Sequence, residues 1–212
     1  MMSVQIIPPR KKVYVVGDFP NSWGDLKRMF FIQGWSVTLD PGEADLIQFD
    51  GGEDVDPSYY GEEKHATTFS NPKRDALEAH IFNQYISTPK TGICRGGQFL
   101  NVMSGGKMWQ HVDGHLGNHI AKDIDGMEYI VTSTHHQMMK PSDEGIVFLS
   151  AKKSKIRETS LDINVDENFE DVEGVFYPHT NSMCFQPHPE YTNPKHLCWM
   201  NYFENLNKWL GV

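Results

Sequence analysis

The chain has 212 residues, a length that favours a single domain over residues 1–212 with one well-packed core. Its formal net charge of −9 argues against a nucleic-acid-binding or anionic-membrane surface, because both need clustered Lys and Arg. Three cysteines do not make a disulfide framework, and the sequence shows neither a signal-peptide core nor an apolar run of membrane length, so a cytoplasmic location is expected.

Short apolar segments alternate with helical patterns in the first half of the chain. The segment "KKVYVVGDF", which begins at Lys11, is rich in β-branched residues and predicts a buried strand. Apolar residues at helical spacing predict a helix over residues 22–33, which Gly34 would end. The segments "WSVTL" and "ADLIQFDGG" predict the second and third strands.

A further helix is predicted after Asn71, because its side chain can cap a helix and Pro72 suits the first turn. Leu77, Ile81 and Tyr85 would form the buried stripe of this helix. "TGIC" predicts a fourth strand, and "GGQFLNVMSGG" predicts the helix that follows it. This alternation predicts an α/β fold with a mostly parallel central sheet and helices on both faces.

The second half of the chain is richer in strands. The segments "MEYIVTST", "GIVFLSA", "EGVFY" and "SMCFQPHPE" predict an antiparallel extension of the sheet. The basic run from Lys152 to Arg157 is expected to be solvated, and the acidic region 159–176 matches no motif. A closing helix over residues 194–209 is expected to face inward through Leu197, Met200, Phe203, Leu206 and Leu210.

One cysteine lies in a motif with chemical meaning. In "TGICRGGQFLN", Gly92 and Gly96 flank Cys94 at the junction of a strand and a helix, the pattern of a tight nucleophile elbow. The helix N-terminus would favour a thiolate, and the N–H of Arg95 would point to a developing oxyanion. The alternative is a buried structural cysteine at a strand end.

A thiol nucleophile needs a base, and His188 in "QPHPEY" is the candidate. Pro187 and Pro189 favour an extended segment, in which His188 and Glu190 share a face and the carboxylate can orient the imidazole. Cys94, His188 and Glu190 would then form a catalytic triad. The alternative is that the two prolines only end a strand.

Together, "GICRGGQFLN" and the downstream "FQPHPE" resemble the class I (triad) glutamine amidotransferase superfamily. "GGEDVDPSYYG", "KRDALE" and "STHHQ" bring the resemblance closest to the γ-glutamyl-γ-aminobutyrate hydrolase and γ-glutamyl hydrolase-like (peptidase C26) branch. The resemblance runs from Gly51 to Glu190 and implies a flavodoxin-like domain. Lys90, Thr91 and the additional Gly97 depart from the pattern of the family.

The resemblance also implies roles for individual residues. Cys94 would be the nucleophile, His188 the general base and acid, and Glu190 its orienting partner. The N–H groups of Gly52 and Arg95 would form the oxyanion hole. The glutamyl group would be bound by a further set of residues: Gly51, Gln98, Ser133, Thr134, His135 and His136.

Other chemically capable residues have more ordinary interpretations. His111, His115 and His119 are four residues apart, but two glycines interrupt the segment and no obvious carboxylate completes a site, so we expect no metal. Asp54 and Asp56 could bind a substrate amine, although such residues more often cap a turn. We expect Cys184 and Cys198 to be inert core thiols.

The expected reaction is cysteine-dependent hydrolysis of a γ-glutamyl amide through a thioester on Cys94, which releases glutamate and an amine without a cofactor. One alternative is a glutaminase subunit that supplies ammonia to a separate synthetase chain. Another is a non-catalytic binding module, which the intact triad disfavours. We expect a small γ-glutamyl substrate or glutamine as the ligand, and neither nucleic acid nor a membrane as partner.

Overall fold

The structure is a computed structural model that describes residues 10–16 and 26–212. Within these residues the chain forms one large mixed sheet, a small three-stranded sheet and four α-helices. The predicted strand continuation at residues 17–19 and the predicted helix start at residues 22–25 lie outside the described residues.

The first half of the chain builds the parallel part of the sheet, in the order β2-β1-β3-β4. The α-helix before β2 ends as predicted, because Gly34 has a left-handed φ of 85° and Trp35 donates back to Phe30. Asn71 caps the next helix by accepting a hydrogen bond from the N–H of Arg74. The elements of this half are β1 (Lys12–Val16), α1 (Leu26–Ile32), β2 (Ser36–Val37), β3 (Leu46–Phe49), α2 (Pro72–Gln84), β4 (Lys90–Ile93) and α3 (Arg95–Met103).

The second half adds the antiparallel extension that the sequence predicts. Its strands are β5 (Lys107–Trp109), β6 (His111–Val112), β7 (His119–Asp123), β8 (Glu128–Val131), β9 (Met138–Lys140), β10 (Ile146–Ala151), β11 (Ile156–Glu158), β12 (Ile163–Val165), β13 (Asp171–Tyr177) and β14 (Ser182–Phe185). β14 pairs in parallel with β4, and β13, β10, β7 and β8 continue outward in antiparallel order. α4 (Leu197–Asn205) and a π-helical turn (Leu206–Leu210) close the chain.

Two apolar cores cover the two faces of the large sheet. On one face, α1 and α4 pack through Phe30 and Tyr202 against Phe185. On the other face, α2 and α3 contribute Phe82 and Phe99, which lie in one cluster with Phe49. Cys184 and Cys198 are buried in these cores, as expected of structural thiols. The α/β class with helices on both faces, predicted from the sequence, is therefore correct.

The packing of two helices differs from the prediction. On α2, Ile81 is buried as predicted, but Leu77 is 49% exposed. The first half of the buried face instead carries charged residues, whose charges are compensated by ion pairs with one another and with Arg95. On α4, Leu197 and Met200 are 44% and 39% exposed, because the helix packs through Trp199 and Tyr202.

The basic run from Lys152 to Arg157 is only partly solvated, as its last residue is fully buried. The guanidinium of Arg157 donates to Asn164 and to the carbonyl of Asp166, and it stacks 4.0 Å from the ring centroid of Phe169. Arg157 therefore holds the small sheet β12-β11-β6 together. Among the described helices, none is long and apolar enough to cross a membrane.

Candidate active site

Cys94 lies on the tight turn that the sequence predicts between β4 and α3. Its φ of 51° is left-handed, a strained conformation for a residue with a side chain. A Cβ on Gly92 would lie 2.2 Å from the carbonyl carbon of Gly96, and one on Gly96 would lie 2.3 Å from the Phe49 oxygen. The turn therefore requires glycine on both sides of Cys94.

His188 lies beside Cys94 and is held from behind by Glu190. Its Nδ1 is 2.6 Å from the Glu190 Oε1, so Nδ1–H donates to the carboxylate and Nε2 is left for the thiol side. A Cβ placed on Gly51 would lie 3.4 Å from the His188 Cε1 and 3.7 Å from the Cys94 Cβ, which shows how closely the three residues meet. Thr132 fixes the His188 backbone through two 2.8 Å hydrogen bonds.

The contact between His188 and Glu190 arises differently from the prediction. The segment is not extended, because Pro189–Tyr191 forms a 3₁₀ turn with proline in its first position. The turn brings the two side chains of residues 188 and 190 together. Tyr191, which the sequence did not single out, stacks on the His188 ring at a centroid distance of 4.4 Å.

The charges around His188 favour its protonated form. Burial lowers the pKa of His188, but the neighbouring Cys94 and Glu190 outweigh burial and raise that pKa to about 10. A protonated imidazole beside a cysteine favours the thiolate. His188 is therefore protonated at neutral pH, and its position beside Cys94 suits a thiolate nucleophile.

The loop after β3 faces the elbow. Asp50 accepts a 2.7 Å hydrogen bond from the N–H of Gly51, so that N–H is already used. Burial raises the pKa of the Asp50 carboxyl to about 6. Gly52 follows with a φ of 142°, and a Cβ there would lie 2.1 Å from the Nη1 of Arg74. Of the two glycines, Gly52 is thus the one with an uncommitted N–H in the described hydrogen bonds.

A buried ionic network supports this loop, and sequence reasoning did not find it. Arg74 donates to the carbonyls of Asp50 and Gly51 at 2.9 Å and to the Glu78 carboxylate at 2.9 Å. Arg95 donates to the carboxylates of Asp75 and Glu78, and its Nε donates to the Glu53 carbonyl at 3.1 Å. The sequence signal for this network lies in "KRDALE", where Glu78 follows Arg74 by four residues and Asp75 by three, so all three share one helix face.

Two adjoining cavities open at Cys94 and share Gly52 and Thr134 in their walls. One has a volume of about 190 Å³, and the other, of about 570 Å³, extends past His188 and Tyr191. The smaller cavity is well below the roughly 300 Å³ at which drug-sized sites begin, so it suits a small polar group. Its wall consists of Gly52, Glu53, Asp54, Phe69, Cys94, Gln98, Thr134, His135, His136 and Gln137.

The structure thus brings most of the predicted ligand-binding residues to this cavity. Gln98 is held by the carbonyl of Gln137 at 3.1 Å, and His136 pairs with Asp54 at 3.2 Å. Ser133 is placed differently, because its hydroxyl donates to the His115 carbonyl at 2.6 Å. Asp56 caps the turn after it by accepting from the N–H of Ser58, as the more ordinary interpretation expected.

The three spaced histidines do not form a common site. His111 stacks on His65, whereas His115 and His119 are buried against carboxylates of β13. The sequence did not reveal the carboxylate of Glu173 as a neighbour of these histidines. Glu173, His115 and His135 form a group in which one potential ligand atom from each residue lies within 4.8 Å of the other two. Part of the acidic region 159–176 is therefore buried in the fold.

Comparison with known proteins decides the family. The peptidase C26 family model matches residues 42–165, more than half of the chain. The chain belongs to the peptidase C26 family. The match includes the elbow and the segment 133–137, whereas His188 and Glu190 lie beyond its end.

Relatives of this peptidase C26 chain include proteins named for glutamine amidotransfer. A Mycobacterium tuberculosis protein with such a name is 36% identical over 46% of this chain and 39% of its own length. A glutamine amidotransferase-like protein of Lactococcus lactis subsp. cremoris is 32% identical over 48% of this chain and 67% of its own length. The carbamoyl phosphate synthase small chain of Methanopyrus kandleri is 30% identical over 57% of this chain and 31% of its own length.

Solved structures show the same fold. A glutamine amidotransferase from Thermotoga maritima superposes with a TM-score of 0.62 at 15% identity, over 96% of this chain and 90% of that one. The peptidase C26 chain therefore has the flavodoxin-like α/β fold of the class I glutamine amidotransferases. Against the M. tuberculosis relative, it spans less than half of the relative's length.

Proposed function

We propose that this protein hydrolyses a γ-glutamyl amide through a γ-glutamyl thioester on Cys94. The observation that carries the proposal is the position of Cys94, on a strained turn at a helix N-terminus and beside the His188–Glu190 pair. Cys94 lies in the wall of the smaller cavity, which suits a small polar group, and it shares the wall of the larger cavity with His188. This arrangement fits a thiolate nucleophile with a proton carrier.

In the proposed first step, the Cys94 thiolate attacks the δ-carbonyl carbon of the substrate. The oxygen becomes negative and accepts hydrogen bonds from the N–H groups of Gly52 and Arg95. Arg95 is the first residue of α3, so its N–H has no acceptor within the helix. The intermediate collapses when the Nε2–H of His188 protonates the leaving amine, and the thioester remains on Cys94.

The second step restores the enzyme. His188, now neutral, takes a proton from a water molecule that attacks the thioester carbonyl. The tetrahedral intermediate again places its oxygen between the two N–H groups and then expels the Cys94 thiolate. Glutamate leaves, and Glu190 keeps the imidazole in the tautomer that both steps require.

The smaller cavity would bind the glutamyl group. Glu53 and Asp54, whose carboxylates also pair with Arg74 and His136, would attract an α-ammonium, and Gln98 would supply an amide. Thr134, His135 and His136 would line the same cavity, and Gly51 would allow the substrate to approach the backbone. Ser133 would act through the shape of the loop, since the His115 carbonyl already binds its hydroxyl.

A second candidate function is that of a glutaminase subunit that delivers ammonia to a separate synthetase chain. The similarity to a carbamoyl phosphate synthase small chain favours it. The two candidates differ in what the isolated chain does. A free-standing hydrolase turns over γ-glutamyl amines unaided, and a glutaminase subunit is nearly idle without its partner.

The test is to assay the purified chain on glutamine, γ-glutamyl-γ-aminobutyrate and γ-glutamyl amino acids. Cys94→Ala should abolish turnover, and Cys198→Ala, which removes a buried core thiol, should retain it. After reaction with substrate, mass spectrometry should detect one glutamyl group on Cys94. If wild type and Cys94→Ala behave identically on every substrate and no thioester is trapped, the proposal fails.

A further inference from the structure

A second cluster of chemically capable side chains lies behind the smaller cavity, between three segments of chain. His115 lies in the loop between β6 and β7, His135 in the loop between β8 and β9, and Glu173 on β13. The three side chains are at most 4% exposed. One potential ligand atom from each lies within 4.8 Å of the other two.

The hydrogen bonds around the two imidazoles leave their remaining nitrogens available as ligands. The Nδ1 of His135 lies 2.9 Å from the Gln137 carbonyl, which can only accept, so Nδ1 carries the proton and Nε2 carries a lone pair. The Nε2 of His115 lies 3.1 Å from the Asp171 carboxylate, which leaves Nδ1 for the cluster. An imidazole held from behind by a carboxylate or carbonyl is the usual arrangement of a metal-bound histidine.

The atoms that remain have no hydrogen-bond partner among the described residues. They are the His115 Nδ1, the His135 Nε2 and the Glu173 Oε2. Buried polar atoms without partners are costly, and several in one place are typical of a site that binds water or an ion. Two lone pairs and a carboxylate oxygen would repel an anion and attract a cation.

From this geometry we infer that His115, His135 and Glu173 form a binding site for a divalent transition-metal ion, with Zn²⁺ as the best-matched ion. Two imidazoles and one carboxylate suit zinc, which binds nitrogen at about 2.0 Å and leaves a fourth position open for water. His119 would serve as a positioning residue, since its Nε2 lies 2.9 Å from the Glu173 Oε1.

A tetrahedral zinc ion would draw its ligand atoms to about 3.3 Å from one another, closer than the outer limit of 4.8 Å in the cluster. The bridge between Leu116 and Thr134 already joins the loops of His115 and His135, so the remaining difference would be supplied by rotation of the side chains. The ion would fix His135, which is part of the cavity wall, and thereby the shape of that wall. The site does not depend on the proposed hydrolysis.

The competing explanation is a metal-free network in which a protonated His115 bridges the two carboxylates. His115 lies 3.1 Å from Asp171 and 3.4 Å from Glu173, so its position alone is compatible with this network. The network gives no role to the Nε2 of His135, whereas the metal site uses that atom. The two explanations differ in whether the protein binds one metal ion per chain.

The test uses untagged full-length protein that has been treated with a chelator and dialysed. Titration with Zn²⁺ by calorimetry should give one ion per chain, confirmed by elemental analysis, and Co²⁺ should give the visible spectrum of a tetrahedral site. At about 100 times Kd, Zn²⁺ should raise the melting temperature by roughly 5–10 °C. A wild-type protein that binds no Zn²⁺ in this titration would overturn the inference.

Variants locate the ion. Glu173→Gln and His135→Ala should each weaken Zn²⁺ binding by at least about 100-fold. His80→Ala, which changes an exposed histidine of α2, should leave it unchanged. Cys94→Ala should also bind normally, which separates this site from zinc held by the active-site thiol. Full-strength binding by both cluster variants, or its loss in Cys94→Ala, would place the ion elsewhere and refute the site.

Discussion

The strained backbone of Cys94 is maintained by contacts on all sides of the residue. A left-handed conformation of a non-glycine residue costs about 1–3 kcal/mol and persists only where the surroundings enforce it. The N–H of Cys94 donates to the Phe185 carbonyl at 2.8 Å, which ties the turn to β14. Gly92 and Gly96 are packed against backbone atoms. Contacts with the sheet therefore fix the direction in which the Cys94 thiol points.

The protonation of His188 should depend on the thiol beside it. The folded pKa of about 10 lies above the unfolded value near 6.5, so protonated His188 stabilises the fold fully below about pH 6.5 and ceases to do so as the pH rises through 10. In Cys94→Ala, we expect the pKa of His188 to fall by more than about one unit. Titration followed by NMR measures it, and an unchanged pKa would contradict a thiolate–imidazolium pair.

The negative charge of Asp50 should destabilise the fold at neutral pH. Its folded pKa of about 6 exceeds the ordinary aspartate pKa of 3.8, so the proton stabilises the fold below about pH 4, and this contribution is lost as the pH rises through 6. Asp50→Asn keeps an oxygen for the Gly51 N–H. We expect it to raise the free energy of unfolding by about 1–3 kcal/mol at pH 7.5 and not at pH 4.

Urea denaturation at both pH values measures this effect. Asp125→Asn, a change in an exposed carboxylate, is the matched control and should alter neither value by more than about 0.5 kcal/mol. If Asp50→Asn instead destabilises the protein equally at pH 4 and pH 7.5, the buried charge of Asp50 does not limit the stability at neutral pH, and the prediction is wrong.

At the scale of elements, α2 supports the loop that faces the nucleophile. Its buried face carries Arg74, Asp75 and Glu78, and these side chains join Arg95 of α3 to the backbone of residues 50–53. The helix therefore contributes to the site through the backbone position of Gly52.

Glu78→Gln should reveal this role. It removes the buried carboxylate that pairs with both Arg74 and Arg95 and leaves them with Asp75 and the half-exposed Glu53, so we expect a loss of about 3 kcal/mol in the free energy of unfolding. Because the loop would shift, we also expect kcat on γ-glutamyl substrates to fall by at least about 10-fold. Glu204→Gln, on the exposed side of α4, should change neither quantity.

The sequence predicted the elements well and their buried faces less well. Periodicity found α2, but the rule that an inward face is apolar favoured Leu77, and the ionic face was missed because its partner Arg95 lies on another helix. Lys90, an apparent misfit in β4, donates to the carbonyls of Tyr85, Ile86 and Thr88 at the end of α2. Such a role depends on tertiary contacts.

Gly97 also has its explanation in contacts between elements. A Cβ on Gly97 would lie 2.9 Å from the N atom of Phe185 and 3.0 Å from the Gly92 oxygen, so α3 packs directly on the backbones of β4 and β14. Thr91, the other departure in this segment, lies 3.2 Å from the Tyr202 hydroxyl. The local elbow pattern could be read from the sequence, but the reason for a third glycine could not.

At the scale of the whole molecule, the antiparallel half of the chain brings together histidines and carboxylates that are far apart in the sequence. His115 meets Asp171 across 56 residues of chain, and His119 meets Glu173 across 54. In a strand, residues two apart share a face, so Asp171 and Glu173 point to the same side of β13. That pairing within the strand was predictable, but the histidines opposite it follow only from the order β13-β10-β7.

Because Cys184 and Cys198 are buried, the number of reactive thiols reports whether the protein is folded. Burial raises the pKa of Cys198 to about 12 and that of Cys184 well above its ordinary value, so neither thiol should react in the native state. A chromogenic disulfide reagent should therefore count one thiol per native chain and three in denaturant. Loss of the native count in Cys94→Ala would identify the reporter, and a native count of two or more would contradict the packing.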